Sequence, residues 1–233
     1  MIEELENEIY LCIEKNKFSI FLLDKNKLLN LYKNETTFDE NNNINFEELS
    51  KFLDNNIFKI EKLLGKFITN IFLIIEDNSE IQTNISIRKK NDNNMTNQKD
   101  LNQVLVESKN LFKENNSSQI IIHMLIDNFI IDGDKYNFFV EKLKSDYLYL
   151  DVKFISLSDK LIYKFDKLLE KYQIKIQQFI SGKYLKELMR DKDLELSLMA
   201  QKMRDGFNPN EIVIIPKIQT NKGFFEKFFQ LFS

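Results

Sequence analysis

The apolar and polar positions of this 233-residue chain fall into short runs with two periods, one near 2 and one near 3.6 residues, which predicts alternating strands and helices. Ile9 to Leu23 alternates and is rich in apolar residues. With a turn near Asp24–Lys27 and a second run at Leu28–Lys33, it predicts a β-hairpin. Asn41–Asn45 reads as a polar loop. From Phe46 the apolar residues fall at 46, 49, 52, 53, 57, 60 and 64, a helical spacing that stops at Gly65. Asn45, followed three residues later by Glu48, resembles a capping box at the start of that helix. Ile71–Ile75 is a continuous apolar run, the mark of a strand buried on both faces.

The next block has a different character. Ile81–Arg88 alternates as a strand and Lys89–Asn94 reads as a polar loop. A helix follows, with Asn97 as its cap, Asp100 in its first turn, and Leu101, Val104, Leu105, Leu111 and Phe112 as its apolar positions. Ile120–Ile131 is a long β-type run turned by Asp132-Gly133-Asp134, and Tyr147–Leu157 is a third strand. The order strand–helix–strand–strand makes a compact α+β unit of about 80 residues. Ser158 or Asp159 then caps a helix with Leu161, Ile162, Phe165, Leu168 and Leu169 on one face. Gln173–Ile180 returns to strand, helices are expected at 183–190 and 194–204, and Asp205–Pro209 is a turn before a short strand at Glu211–Ile215. The expected fold class is α/β (α+β): segments 1–78 and 159–216 form one body, 79–158 is inserted between them, and 217–233 is a linker and a helix.

That last helix has the sharpest pattern in the chain. Wound at about 100° per residue, Phe224, Phe225, Phe228, Phe229, Leu231 and Phe232 share one face, and Glu226, Lys227 and Gln230 take the other. At about 16 Å it is too short to cross a hydrocarbon core of about 30 Å. It is also too short to hold together alone in water, so an apolar surface must order it. An in-plane membrane anchor is one such surface, each aromatic contributing up to about 1.5–3 kcal/mol when well buried. Lys222 and Lys227 would then meet anionic lipid, adding about 1 kcal/mol each. The chain's own core is the other candidate surface.

Composition narrows the chemistry. With 43% hydrophobic and 30% charged residues the chain is globular, and a net charge of −3 argues against a general nucleic-acid partner. The one cysteine, Cys12, excludes an internal disulfide, no apolar run is long enough to span a membrane, and the acidic opening Met1-Ile-Glu-Glu-Leu-Glu lacks a signal-peptide pattern. Phosphate-cradling loops need glycine for close backbone approach, but the five glycines never cluster and no Gly-x-Gly-x-x-Gly or Walker-type loop exists. His123 is the only histidine, so a zinc site is not expected and a structural role in its strand is. Asp127, Asp132 and Asp134 bracket a turn without calcium-loop spacing, Cys12 sits in an apolar strand, and Arg88-Lys89-Lys90 reads as a solvated strand end. No catalytic residue, cofactor or metal is expected.

Ile121-Ile-His-Met-Leu-Ile-Asp-Asn-Phe-Ile-Ile-Asp-Gly-Asp134 resembles a strand motif of the FtsA family of bacterial cell-division proteins, which reads roughly hydrophobic-Leu-His-Val-Leu-Pro-Gln-Glu-Phe-Ile-Val-Asp-Gly. Ile126 replaces the proline, and Asp127-Asn128 replace Gln-Glu. The helix Thr96–Phe112 and the strand Leu150–Ile155 are similar to that family's helix and third strand, with Lys153 in a histidine's place. Phe46–Ile75 resembles the helix and strand before the family's insertion, Asp159–Ile180 those after it, and Gly223–Ser233 its amphipathic membrane-targeting tail.

The resemblance implies a partial actin-like subdomain carrying the inserted domain. It also implies a non-catalytic adaptor of the division machinery, peripheral on the cytoplasmic face of the inner membrane and found at midcell. Its implied partners are the lipid surface, division proteins and further copies of itself. Where actin-like ATPases open with Asp-Ile-Gly-Thr against phosphate and metal, this chain has Cys12-Ile13-Glu14-Lys15, a glutamate in the glycine's place. The second phosphate motif has no counterpart after Ile180, and the roughly 50 residues that follow are too few for the second actin-like half. An ATPase is therefore not expected. The family's contact with FtsZ lies largely in that second half, so direct FtsZ tethering is in doubt. A scaffold of a pilus or secretion machine on the same actin-like plan is the alternative.

Overall fold

The computed structural model describes residues 6–38, 44–76, 78–190 and 193–212. The segment with Lys222, Phe224, Phe225, Lys227, Phe228, Phe229, Leu231 and Phe232 lies outside the described residues, as do the positions 213–215 of the expected last strand.

The apolar stretch expected to form one strand over Ile9–Leu23 forms two. β1 (Asn7–Glu14) and β2 (Lys17–Asp24) pair antiparallel across a tight turn at Lys15-Asn16, with Glu14 opposite Lys17. Four polar residues, Glu14 to Lys17, supply the break. Asparagine and lysine are so common throughout this chain that the signal is hidden in the sequence. β3 (Leu29–Thr37) completes the meander as an exposed edge. α1 (Phe46–Leu64) begins and ends as its sequence predicts: Asn45 Oδ1 accepts from the amides of Glu47 and Glu48, and Gly65 closes the helix at φ 67°, a left-handed position that suits glycine. β4 (Asn70–Glu76) follows, parallel to β1.

β5 (Ile81–Met95) runs past the expected loop. Residues 89–94 continue the ladder through a bulge, with Asp92 and Asn93 at positive φ. Buried Asn91 steadies the bulge by donating to Ser145 Oγ and to the Asn94 carbonyl. α2 (Gln98–Asn115) starts at the Asn97 cap, whose side chain accepts from the Asp100 amide. β6 (Gln119–Ile131), β7 (Asp134–Tyr136) and β8 (Lys144–Ser158) follow, β8 starting three residues before the expected Tyr147. Then come α3 (Asp159–Glu170), capped by Ser158, β9 (Lys175–Ser181), α4 (Gly182–Met189) and α5 (Leu196–Arg204).

The fold is α/β, with two sheets. The first has the order β3-β2-β1-β4-β9, in which β1, β4 and β9 are parallel. The second, β5-β8-β6-β7, is antiparallel and carries α2, giving the expected strand–helix–strand–strand unit with one short extra strand. Alternation along β1 explains why its sequence is apolar at nearly every position. Ile9, Leu11 and Ile13 pack against α1 and α3, while Tyr10 and Cys12 pack against α4 and α5. The sheet is mixed, and helices cover both faces of its parallel strands, as buried parallel strands require. Leu125 of β6 and Ile155 of β8 enter the core beneath α4 and α5, so the second sheet shares apolar packing with the first.

Candidate functional site at the carboxyl edge of the parallel strands

Open α/β sheets receive ligands outside the carboxyl ends of their parallel strands. In this sheet those ends are Glu14, Glu76 and Ser181. Glu14 lies opposite Glu76 in the ladder, and Ser181 lies opposite Ile75. Two neighbouring carboxylates repel each other unless a cation joins them. Lys186, one turn into α4, does so: its Nζ lies 2.5 Å from Glu76 Oε2 and 3.4 Å from Glu14 Oε1. Lys17, across the β1–β2 turn, lies 3.0 Å from the other oxygen of Glu14. Burial works against the charge of Lys186, but the hydrogen bond to Glu76 and the charges of Glu76 and Glu14 outweigh it and raise its pKa above the ordinary lysine value.

α4 is fixed over this edge by its cap, Ser181, and its first residue, Gly182. Ser181 Oγ caps the helix by accepting from the Tyr184 amide, and donates to Glu80 Oε2 at 2.8 Å. Gly182 presses against β4 so closely that a Cβ there would meet the Glu76 Cβ at 2.7 Å and the Ile75 carbonyl oxygen at 3.1 Å. Glu14, the residue in the phosphate-contacting position of the resemblance, thus sits at a closed turn in a carboxylate–ammonium cluster. The carboxylates of Glu14, Glu76 and Glu80 outnumber Lys186 and Lys17 here, so the edge keeps a negative balance that disfavours phosphate. The sequence singled out Glu14. Lys186 and Glu76 were missed, because nothing in the spacing of residues so far apart shows that they meet.

A second polar cluster joins the two sheets. His123, on β6, is fully buried. The amide of Ser181 donates to its Nε2 at 2.9 Å, and Glu211 Oε1 lies 2.7 Å from its Nδ1. A backbone amide can only donate, so Nε2 carries the lone pair and Nδ1 carries the proton that Glu211 accepts. Tyr184 OH donates to Glu211 Oε2 at 2.8 Å, and Asn208 donates to Tyr184 OH at 2.9 Å. Burial first, then the nearby Glu211 carboxylate, raises the Tyr184 phenol well above its ordinary pKa. A His–Glu pair resembles a catalytic dyad, but the nitrogen that would face a nucleophile is held by the Ser181 amide. The cluster instead ties β6 to α4 and to Glu211, the residue that bridges to Leu125.

Most of the remaining sequence candidates have structural partners. Asp132 accepts from the amides of Asp146 and Tyr147, and Asp127 lies 3.9 Å from Lys153. Lys89 pairs with Asp100, Lys90 pairs with Asp92, and Arg88 lies over the Tyr147 ring. Cys12 is completely buried, and that burial pushes its thiol up. Among the described residues no cluster of ligating side chains suits a metal, and no helix is long and apolar enough to cross a membrane.

No family model and no curated protein matches this sequence. Among solved structures, the chain is similar to the cytoplasmic domain of EpsL, an inner membrane component of the type II secretion system of Vibrio cholerae, with 8% identity and a TM-score of 0.39 over 75% of this chain and 57% of that one. It is similar to the PilM-PilN type IV pilus biogenesis complex, with 9% identity and a TM-score of 0.46 over 87% of this chain and 70% of that one. A Bacteroides thetaiotaomicron protein with an actin-like ATPase fold and unknown function matches with 10% identity and a TM-score of 0.31, over 79% and 56%. The chain therefore spans little more than half of the EpsL domain. Likeness at this level carries no function across, and the fold assignment rests on the strand order and helix placement above.

Proposed function

We propose that this chain is a non-catalytic, membrane-peripheral scaffold on a partial actin-like plan, and that it serves as an FtsA-like adaptor of the division machinery on the cytoplasmic face of the inner membrane. The observation that supports it best is the carboxyl edge of β1, β4 and β9, where Glu14, Glu76 and Lys186 fill the place of a phosphate cradle. A sheet that keeps its parallel strands and fills its ligand edge with carboxylates is suited to presenting surfaces. The inserted sheet offers the surface for division proteins and for further copies of the chain. The Phe224–Phe232 face, with Lys222 and Lys227, supplies the attachment to lipid.

Titration calorimetry with magnesium–ATP tests the loss of the nucleotide site. The expected heat matches dilution alone, and a saturable isotherm with a micromolar constant overturns the reading. A scaffold of a pilus or secretion machine would share the same geometry. A fluorescent fusion separates the two: a midcell ring supports the division role, and its absence removes it.

A further inference from the structure

α1 and α3 lie on the same face of the five-stranded sheet and share its core. Between the first turns of α1 and the outer side of α3 runs an open groove of about 730 Å³. Its floor is apolar, formed by Phe46, Leu168 and Tyr163, the last 61% exposed. Its rim is basic, with Lys51, Lys164, Lys167 and Lys171 against the single carboxylate of Glu47. Lys164 lies over the Phe46 ring and Lys167 over the Tyr163 ring, each at 5.7 Å, so two ammonium groups stay close to the floor. Lys167 pairs with Glu170 at 2.6 Å, whereas Lys51, Lys164 and Lys171 enter no ion pair among the described residues. Among the described residues, a net-acidic chain has therefore gathered an excess of positive charge around one apolar groove.

We propose that this groove docks an acidic amphipathic helix from a protein partner. Apolar side chains one turn apart would fill the floor and carboxylates would meet Lys51, Lys164 and Lys171, the helix-in-groove mode of recognition. The chain's own 217–233 segment fits poorly. The stretch 217–233 carries Lys217, Lys222 and Lys227 against Glu226, so its charge has the wrong sign. The segment that precedes α1 in the sheet enters at Asn7, which lines a cleft with Leu64, the residue at the opposite end of α1 from Phe46. The proposal is independent of the tail's lipid attachment and of the empty nucleotide role.

Fluorescence anisotropy with the full chain tests it. The probe is a labelled peptide of about 15 residues with leucine along one helical face and glutamate elsewhere, long enough to become helical on binding. The expected result is saturable binding that weakens about tenfold or more in Lys164→Glu/Lys171→Glu, and likewise in about 0.5 M salt. Tyr163→Ala, which leaves the charges in place, is expected to weaken it severalfold. Circular dichroism checks that each variant is folded. Equal binding of a peptide with lysine in place of glutamate overturns the proposal, as does binding that the charge reversal leaves unchanged, or no binding. Loss of anionic-vesicle pelleting in the charge-reversal variant, with peptide binding intact, would make the groove a lipid face instead and also overturns it.

Discussion

Gly182→Ala tests the packing that holds α4 against the carboxyl edge. Replacing a glycine with alanine ordinarily stabilises a helical position by about 0.4–1 kcal/mol, because the unfolded chain has less freedom to lose. At Gly182 that gain is opposed by contact. The new methyl group would lie 2.7 Å from the Cβ of Glu76 and 3.1 Å from the carbonyl oxygen of Ile75. One is a backbone oxygen and the other is bonded directly to the β4 backbone, so neither can swing away as the end of a flexible side chain could. Overpacking of this kind costs about 1–3 kcal/mol, and the stiffness of both neighbours favours the upper part of that range. The net expectation is a loss of about 1–2 kcal/mol, or about 2–8 °C in Tm for a chain of this size. Urea unfolding followed by circular dichroism measures it. Glu76→Gly removes the nearest clashing atom, so Gly182→Ala should cost measurably less in that background. A Gly182→Ala protein as stable as wild type, or equal costs in both backgrounds, would refute the close approach of α4 and with it the placement of Lys186.

Two further predictions concern the buried charge at the start of β1. Arg204 donates to Glu8 at 2.6 Å and lies over the Phe72 ring at 3.6 Å; Arg204→Met should cost about 3 kcal/mol in urea unfolding, because Glu8 stays buried with only Lys25 and Tyr10 beside it, and Glu8→Gln in the same chain should recover part of the loss. The Tyr10 phenol is raised well above its ordinary pKa, by burial first and then by its hydrogen bond to Glu8. An unfolded tyrosine gives up its proton near pH 10 while the folded one keeps it, so unfolding releases a proton and stability falls as pH rises past 10, by about 1.4 kcal/mol per unit for each such group. Tyr10→Phe should make that decline shallower, and an unchanged slope would count against the raised phenol.

Features set by neighbours in the chain were legible in the sequence. The Asn45 and Asn97 caps, the stop at Gly65, the buried β4 and the strand–helix–strand–strand unit follow from spacing and local hydrogen bonding. The break between β1 and β2 was hidden because Lys15-Asn16 looks like the rest of an asparagine- and lysine-rich chain. The β5 bulge was hidden because its stability comes from Asn91 reaching Ser145, 54 residues away. The candidate site was legible only by halves. Glu14 stood out through the family resemblance, but Glu76 and Lys186 reach it through sheet pairing and helix placement. His123 was legible as structural, but its partner Glu211, 88 residues further on, was not.

Pelleting with anionic liposomes tests membrane attachment, the centre of this account. Wild-type protein should sediment with the vesicles, and Phe228→Glu/Phe229→Glu should stay in the supernatant with unchanged circular dichroism and urea midpoint. Loss of stability in that variant while vesicle binding stays the same would contradict the account, because the aromatic face would then be packing against the chain's own core.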